Sequence, residues 1–160
     1  MRHRPANAKA AKSPLLVDPE TSARLGRIRQ KDTSAERAVR RVLHALGLRF
    51  RVRNRDLPGA PDAANRTRRW AVFVHGCFWH AHRGCYRATV PKRNREFWLE
   101  KFAATRARDA RALRALRRQG YFTLVIWECE LDDSGKVEQR LRAIANESLR
   151  PYRRSFGLRA

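Results

Sequence analysis

The sequence predicts an α/β fold in which a mixed β-sheet carries helices on both faces. Three observations predict it. Trp70–Val74 and Tyr121–Trp127 are apolar and rich in β-branched and aromatic residues, the composition of buried strands. Between them, Arg95 to Arg118 runs without Pro or Gly, as one long helix would. Amphipathic helical stretches stand before the first strand and after the second.

A chain of 160 residues has the size of one domain and room for a core. Residues 1–20 are basic and poor in apolar side chains, which predicts a disordered arm. The domain is expected over 21–149, with a basic tail at 150–160. A short helix is expected around Thr21 to Arg29, with Leu25 and Ile28 three apart. Thr33-Ser34-Ala35-Glu36 has the form of a capping box. The helix it starts sets Val39, Val42, Leu43 and Leu46 on one face and stops at Gly47. Arg49-Phe50-Arg51-Val52-Arg53 alternates apolar and basic residues and reads as a strand. Asp56 to Pro61 is a turn. The strand expected after Asp62 is poor, because Ala63 to Arg69 holds no β-branched core. The Trp70–Val74 strand then runs into His75 to Cys85, a knot of two cysteines, three histidines and two large aromatics. The long helix turns Trp98, Phe102, Leu113 and Leu116 inward and ends at Gly120. The second strong strand delivers Cys129 just past its end, and a last helix spans Ser134 to Leu149.

Charge narrows the partners. Lys and Arg number 37 against 15 Asp and Glu, a formal charge of +22. Such a surplus repels itself unless an anion is bound, and nucleic acid is the fitting partner because neutralised phosphates release counterions. The basic residues are spread along the chain rather than gathered beside an apolar segment, which argues against a membrane surface. No run approaches the ~20 apolar residues of a spanning helix. No secretory h-region opens the chain, so the three cysteines are expected as thiols or metal ligands rather than disulfides.

Cys77-x4-His82-x2-Cys85 has the spacing of a zinc half-site, and Cys129 can supply a fourth ligand. Spacing alone does not choose His82 over His80. Unrelated buried thiols are the plainer reading that zinc competes with. Asp62 follows a turn and precedes a strand, where a carboxylate can hold Mg²⁺ against a phosphate. Alone, it reads as an ordinary turn aspartate. His75 and His80 flank the first cysteine and could move protons at a phosphodiester, or be spare ligands or solvated side chains. Glu36 is accounted for by the capping box. Phe78 and Trp79 are adjacent on a loop and suit insertion between base steps, or one of them caps the metal site.

Taken together, these residues carry a resemblance. The run Val74-His75-Gly76-Cys77-Phe78-Trp79-His80-x-His82 resembles the very short patch repair (Vsr) DNA mismatch endonucleases. So do Leu57-Pro58-Gly59-x-Pro61-Asp62, Phe97-Trp98-Leu99-Glu100-Lys101 and Trp127-Glu128-Cys129, in order, over Ser22 to Leu131. The resemblance implies a restriction-endonuclease-like α/β fold and Mg²⁺-dependent nicking of one strand 5′ to the thymine of a T·G mismatch, the product of 5-methylcytosine deamination. It implies Asp62 as the Mg²⁺ carboxylate with the Val74 backbone carbonyl beside it. His75 and His80 become the catalytic histidines, Asp109 the partner orienting His80, and Glu36 a catalytic glutamate. Cys77, His82, Cys85 and Cys129 become the ligands of a structural zinc. Phe78 and Trp79 become an intercalating pair, and Leu25 a wedge from the other groove. The implied partners are mismatched double-stranded DNA and other mismatch-repair proteins, for a monomer in the bacterial cytoplasm at the nucleoid.

Three departures from the family pattern stand out: Ala60 in place of a basic residue, Ala-Ala-Asn-Arg in place of an apolar strand after Asp62, and Thr105 in place of an asparagine. The weak strand makes a catalytically slow or inactive binder of mismatched or distorted DNA the alternative. A zinc protein binding RNA through stacked aromatics is a further rival.

Overall fold

The computed structural model describes Ala23 and residues 31–149. The expected arm at 1–20, the tail at 150–160 and Leu25 lie outside the described residues, as does all of the expected Thr21–Arg29 helix except Ala23. The elements are α1 (Ser34–Ala45), β1 (Ala63–Asn65), β2 (Trp70–His75), α2 (Arg95–Arg118), β3 (Phe122–Trp127), a 3₁₀ turn (Glu128–Asp132) and α3 (Ser134–Leu149).

The helix ends follow local chemistry. Thr33 caps α1 in the expected box: its hydroxyl accepts from the Glu36 N–H at 3.2 Å, and Glu36 returns the bond to the Thr33 N–H. Gly47 and Gly120 take positive φ directly after α1 and α2, the left-handed turn that glycine allows at no steric cost.

The sheet is mixed, in order β1-β2-β3. β1 pairs antiparallel with β2 (Ala63 opposite Val72), and β2 pairs parallel with β3 (His75 opposite Trp127). A parallel neighbour requires a crossover, and α2 provides it. Strand alternation then sorts the side chains. Trp70, Val72 and Ile126 face α1 and α3, packing with Val39, Leu43, Val137, Leu141 and Ile144. Ala71 and Phe73 face the other way, packing with Leu57, Tyr121 and Leu116 of α2. Helices therefore cover both faces.

Two expectations about strands need comment. Arg49–Arg53 is not a strand; it makes only an isolated bridge, Arg51 opposite Ala64. Its alternation has no second partner, Val52 stays 41% exposed, and Arg53 turns to φ 59°, which ends any extension. The poor strand after Asp62 does form, though it has only three residues. Ala63 and Ala64 are buried because the bulk over β1 comes from Trp70 on one face and from Phe73 and Leu57 on the other. Small residues fit where large ones would collide.

A candidate active site at the sheet edge

β2 ends at His75, and the same alternation that turns Phe73 toward α2 turns His75 there too; the two rings meet edge to face at 6.0 Å. His75 is one of two buried polar side chains among the described residues. The chain then folds back through Gly76 and lays the His80 ring flat on His75, with centroids 3.8 Å apart and planes 8° off parallel. His80 Nδ1 lies 2.6 Å from Asp109 Oδ2, contributed by the middle of α2. Asp109 sits seven residues after Phe102 and seven before Leu116, on the face of α2 that meets the sheet.

Asp62 enters from the opposite strand edge. Its N–H donates to the Val72 carbonyl at 3.0 Å, and its Oδ2 accepts from the Val74 N–H at 2.7 Å. Asp62, Val74, His75, His80 and Asp109 share one cleft of about 410 Å³ with Glu36, Ala60 and Arg108. Gly59 also lines it, and a Cβ there would stand 2.6 Å from the Ala112 Cβ, so the turn before Asp62 lies directly on α2. An adjoining groove of about 510 Å³ shares Glu36, Val74, His80 and Arg108, and adds Trp79, Lys101, Thr105 and Glu128.

Electrostatics set the site apart. Burial pushes the Asp62 carboxyl up to about 6; the Val74 N–H opposes this and the nearby Glu36 charge adds to it. Burial, reinforced by the neighbouring His80, brings His75 down to about 4, so it is neutral at pH 7. Burial alone would raise Asp109, but its bond to His80 and the charges of both histidines outweigh that and lower it. A carboxylate that is costly to ionise suits a cation: an oxygen ligand beside a hard divalent ion regains its charge. His75, His80 and Asp109 are also near enough to hold an ion by distance. Their stacked rings argue otherwise, because lone pairs in parallel planes do not converge on one point. Glu36 lines the cleft, yet both its oxygens accept bonds from Asp32 and Thr33 in the capping box.

The cysteines gather as the spacing suggested. Ligand atoms of Cys77, His82, Cys85 and Cys129 all lie within 4.8 Å of one another. His82 Nδ1 is 3.6 Å from Cys77 Sγ and 3.4 Å from Cys129 Sγ. A tetrahedral zinc with its usual bond lengths would set such edges at about 3.5 Å. His82, not His80, points into this group, and its ring is stacked on Trp127 at 4.0 Å. Burial pushes the Cys77 thiol up to about 12, so a bound cation is what would make it a thiolate. The donor set fits zinc.

Phe78 and Trp79 do not stand free. Phe78 meets Trp79, Trp98 and Phe102 at 5.1, 5.1 and 5.4 Å, all edge to face. The Lys101 ammonium lies 5.1 Å from the Trp98 ring centre and 5.6 Å from those of Trp79 and Phe97. Sequence reasoning placed Trp98 in the core and passed over Lys101. Their spacing of three on one helix was the signal that they share a face.

Comparisons with known proteins show what the chain is similar to. Residues 16–87 match the family described as DNA mismatch endonuclease Vsr. The chain is 48% identical over 121 residues to the type II nicking enzyme V.XorIIP of Xanthomonas oryzae pv. oryzae, covering 76% of this chain and 88% of that one. It is 41% identical over 110 residues to the DNA mismatch endonuclease Vsr of Escherichia coli, covering 69% and 70%. It is 36% identical over 121 residues to the type II nicking enzyme V.NmeAIP of Neisseria meningitidis, covering 76% and 86%.

Proposed function

The chain belongs to the Vsr DNA mismatch endonuclease family and is a DNA endonuclease, and on that premise we propose that it is a Mg²⁺-dependent, zinc-stabilised nickase cutting one strand 5′ to the thymine of a T·G mismatch. The fold is then of the restriction-endonuclease-like class. The observation that carries the reading is the convergence of Asp62, Val74, His75, His80 and Asp109 on one cleft.

Asp62 and the Val74 backbone carbonyl would hold the Mg²⁺. The ion, when bound, stabilises negative charge on the oxygens of the scissile phosphate. Asp109 fixes His80 through Nδ1, so Nε2 is the nitrogen left to take a proton from water or give one to the leaving oxygen. His75, neutral at pH 7, stacks beneath His80 and offers the second imidazole. Glu36 is the catalytic glutamate that the family implies; it lines the cleft, and its charge adds to the burial that keeps Asp62 reluctant to ionise. Cys77, His82, Cys85 and Cys129 would hold a structural zinc that fixes the loop carrying Phe78 and Trp79. These two aromatics insert at the mismatch, with Leu25 entering from the other groove. The substrate is duplex DNA in the bacterial nucleoid, met by a monomer whose nick is passed to other mismatch-repair proteins.

The test is a nicking assay on a T·G duplex and its C·G control, with Mg²⁺ and with chelator. Mg²⁺-dependent cleavage immediately 5′ to the mismatched thymine is expected. Tight binding of the T·G duplex without any cut would replace the nickase by the non-cutting DNA-binding protein.

A further inference from the structure

Asp62 directly precedes a strand of only three residues, Ala63–Asn65, with no large side chain to anchor it. Asp62 is bonded to Val72 and Val74 of β2, and the turn that delivers it is fixed separately. Besides His75, the only polar side chain buried among the described residues is Asn54, 1% exposed, in the loop before the Asp56–Pro61 turn. Its Nδ2 donates to the Pro61 carbonyl at 3.0 Å, the peptide directly preceding Asp62. The same Nδ2 donates to the Arg51 carbonyl at 2.8 Å, and Arg51 bridges to Ala64 on the far side of Asp62. Both amide hydrogens are thus committed. Its Oδ1 accepts from Arg66 Nη1 at 3.0 Å, and Arg66 follows the last residue of β1. The two carbonyls on one side and the guanidinium on the other permit only this orientation of the amide. Arg66 in turn forks onto Asp56, with Nη2 2.6 and 2.7 Å from its two carboxylate oxygens and Nε 3.2 Å from one of them.

We propose that Asn54 is a positioning residue for Asp62: its buried amide ties the entry to β1 to the preceding loop, and the Arg66–Asp56 pair locks that amide in place. The proposal rests on reading Asp62 as the metal carboxylate. An exposed ion pair is worth little by itself. Its contribution here is geometric, because the rigid guanidinium fork aimed at Asp56 leaves Nη1 facing Asn54. The amide does what a longer apolar strand would otherwise do, holding the carboxylate where Val74 meets it. Asn54 touches neither DNA nor metal in this scheme, and a displacement of 1 Å at a reacting centre can cost about 100-fold in rate.

The test compares the full-length wild type with Asn54→Ala, and with Arg66→Ala, which leaves the buried amide in place and removes only the half-buried side chain that donates to its Oδ1. Two readouts are taken: the Mg²⁺ concentration for half-maximal nicking of a T·G duplex, and the amide signal of Val74, whose N–H is bonded to the Asp62 carboxylate. In Asn54→Ala the half-maximal Mg²⁺ should rise about tenfold or more and Val74 N–H exchange should quicken about tenfold. Zinc content and affinity for the T·G duplex should stay within about twofold. Arg66→Ala should move both readouts the same way by a few-fold, and it decides the matter if Asn54→Ala does not fold. An unchanged Mg²⁺ requirement and an unchanged Val74 amide in the folded variants would overturn the proposal. If the wild type does not nick while the Val74 amide still responds to both substitutions, the positioning role stands and the nickase reading fails.

Discussion

If Asp62 is the metal carboxylate proposed above, this single residue trades stability for chemistry. Its carboxyl rises from the usual 3.8 to about 6 in the folded chain because it is buried. A raised folded pKa means that the native state binds the proton more tightly than the unfolded state does. Stability from this group is therefore full below about pH 4 and is lost as pH rises toward about 6. At one pKa unit per 1.36 kcal/mol, the loss at pH 7 is on the order of 2–3 kcal/mol without a cation. Asp62→Asn keeps an oxygen for the Val74 N–H and carries no charge. It should abolish nicking, raise the melting temperature at pH 7 in chelator, and flatten the pH dependence of unfolding between about 4 and 6. A variant that nicks normally would show that Asp62 is not the metal carboxylate. The histidines divide in the same spirit. His80→Ala should cut nicking by orders of magnitude and leave zinc bound, since His80 pairs with Asp109 and not with the thiols. His82→Ala should release zinc. Zinc analysis of the two purified variants, side by side with their nicking rates, reads both effects.

At the scale of elements, sequence legibility followed local chemistry. The bounds of α1, α2 and α3 agree with expectation because capping boxes, glycines and uninterrupted helical composition are local signals. The zinc-type cluster was legible for a similar reason: three of its four members fall within nine residues, Cys77 to Cys85. The failures are tertiary. Alternation at Arg49–Arg53 satisfied the strand pattern, but a strand needs a neighbour, and only Ala64 offered one. Ala63–Asn65 looked too poor for a strand, yet it pairs with β2 because Trp70 on one face and Phe73 on the other already supply the bulk. Asn54 gave no signal, since its partners are carbonyls and a guanidinium brought close only by the fold. The cysteine cluster also bears on the whole element order. It joins the loop after β2 to the turn after β3, two segments that the Arg87–Asp132 ion pair also ties together. Cys129→Ser should therefore behave like Cys77→Ser: each should lose the bound zinc and broaden or lower the thermal transition. Chelation of the wild type should do the same. A metal-free preparation that melts as the holoprotein does would remove zinc from the structural account.

On the proposed reading, the whole molecule must find a rare mismatch with a charge of +22. That charge draws it to any duplex, and affinity built on phosphate contacts falls steeply with salt, at about 0.9 decades per decade of salt for each phosphate neutralised. Such affinity carries no preference for T·G. Preference must come from a step whose energy depends on the base pairs, and opening a poorly stacked wobble pair costs less than opening a matched one. Phe78, Trp79 and Trp98, with Lys101 over the indoles, already pack on one another, which limits the ordering to be lost on binding. These rings are not equivalent. Phe78 also covers the buried Phe102, so Phe78→Ala should lower both the melting temperature and the preference for T·G. Trp79 lines the groove and meets Phe78 and Trp98, whose rings stand between solvent and the core, so Trp79→Ala should lower the preference with little change in melting. Each loss of preference should be about 1–3 kcal/mol, the worth of one aromatic–base stack. Affinity for matched duplex should barely change and should keep its full salt slope, whereas the ratio of T·G to matched affinity should be nearly independent of salt. Titrations of both duplexes at several salt concentrations decide it: if the aromatic variants weaken matched and mismatched binding equally, these rings pack the loop and do not read the mismatch.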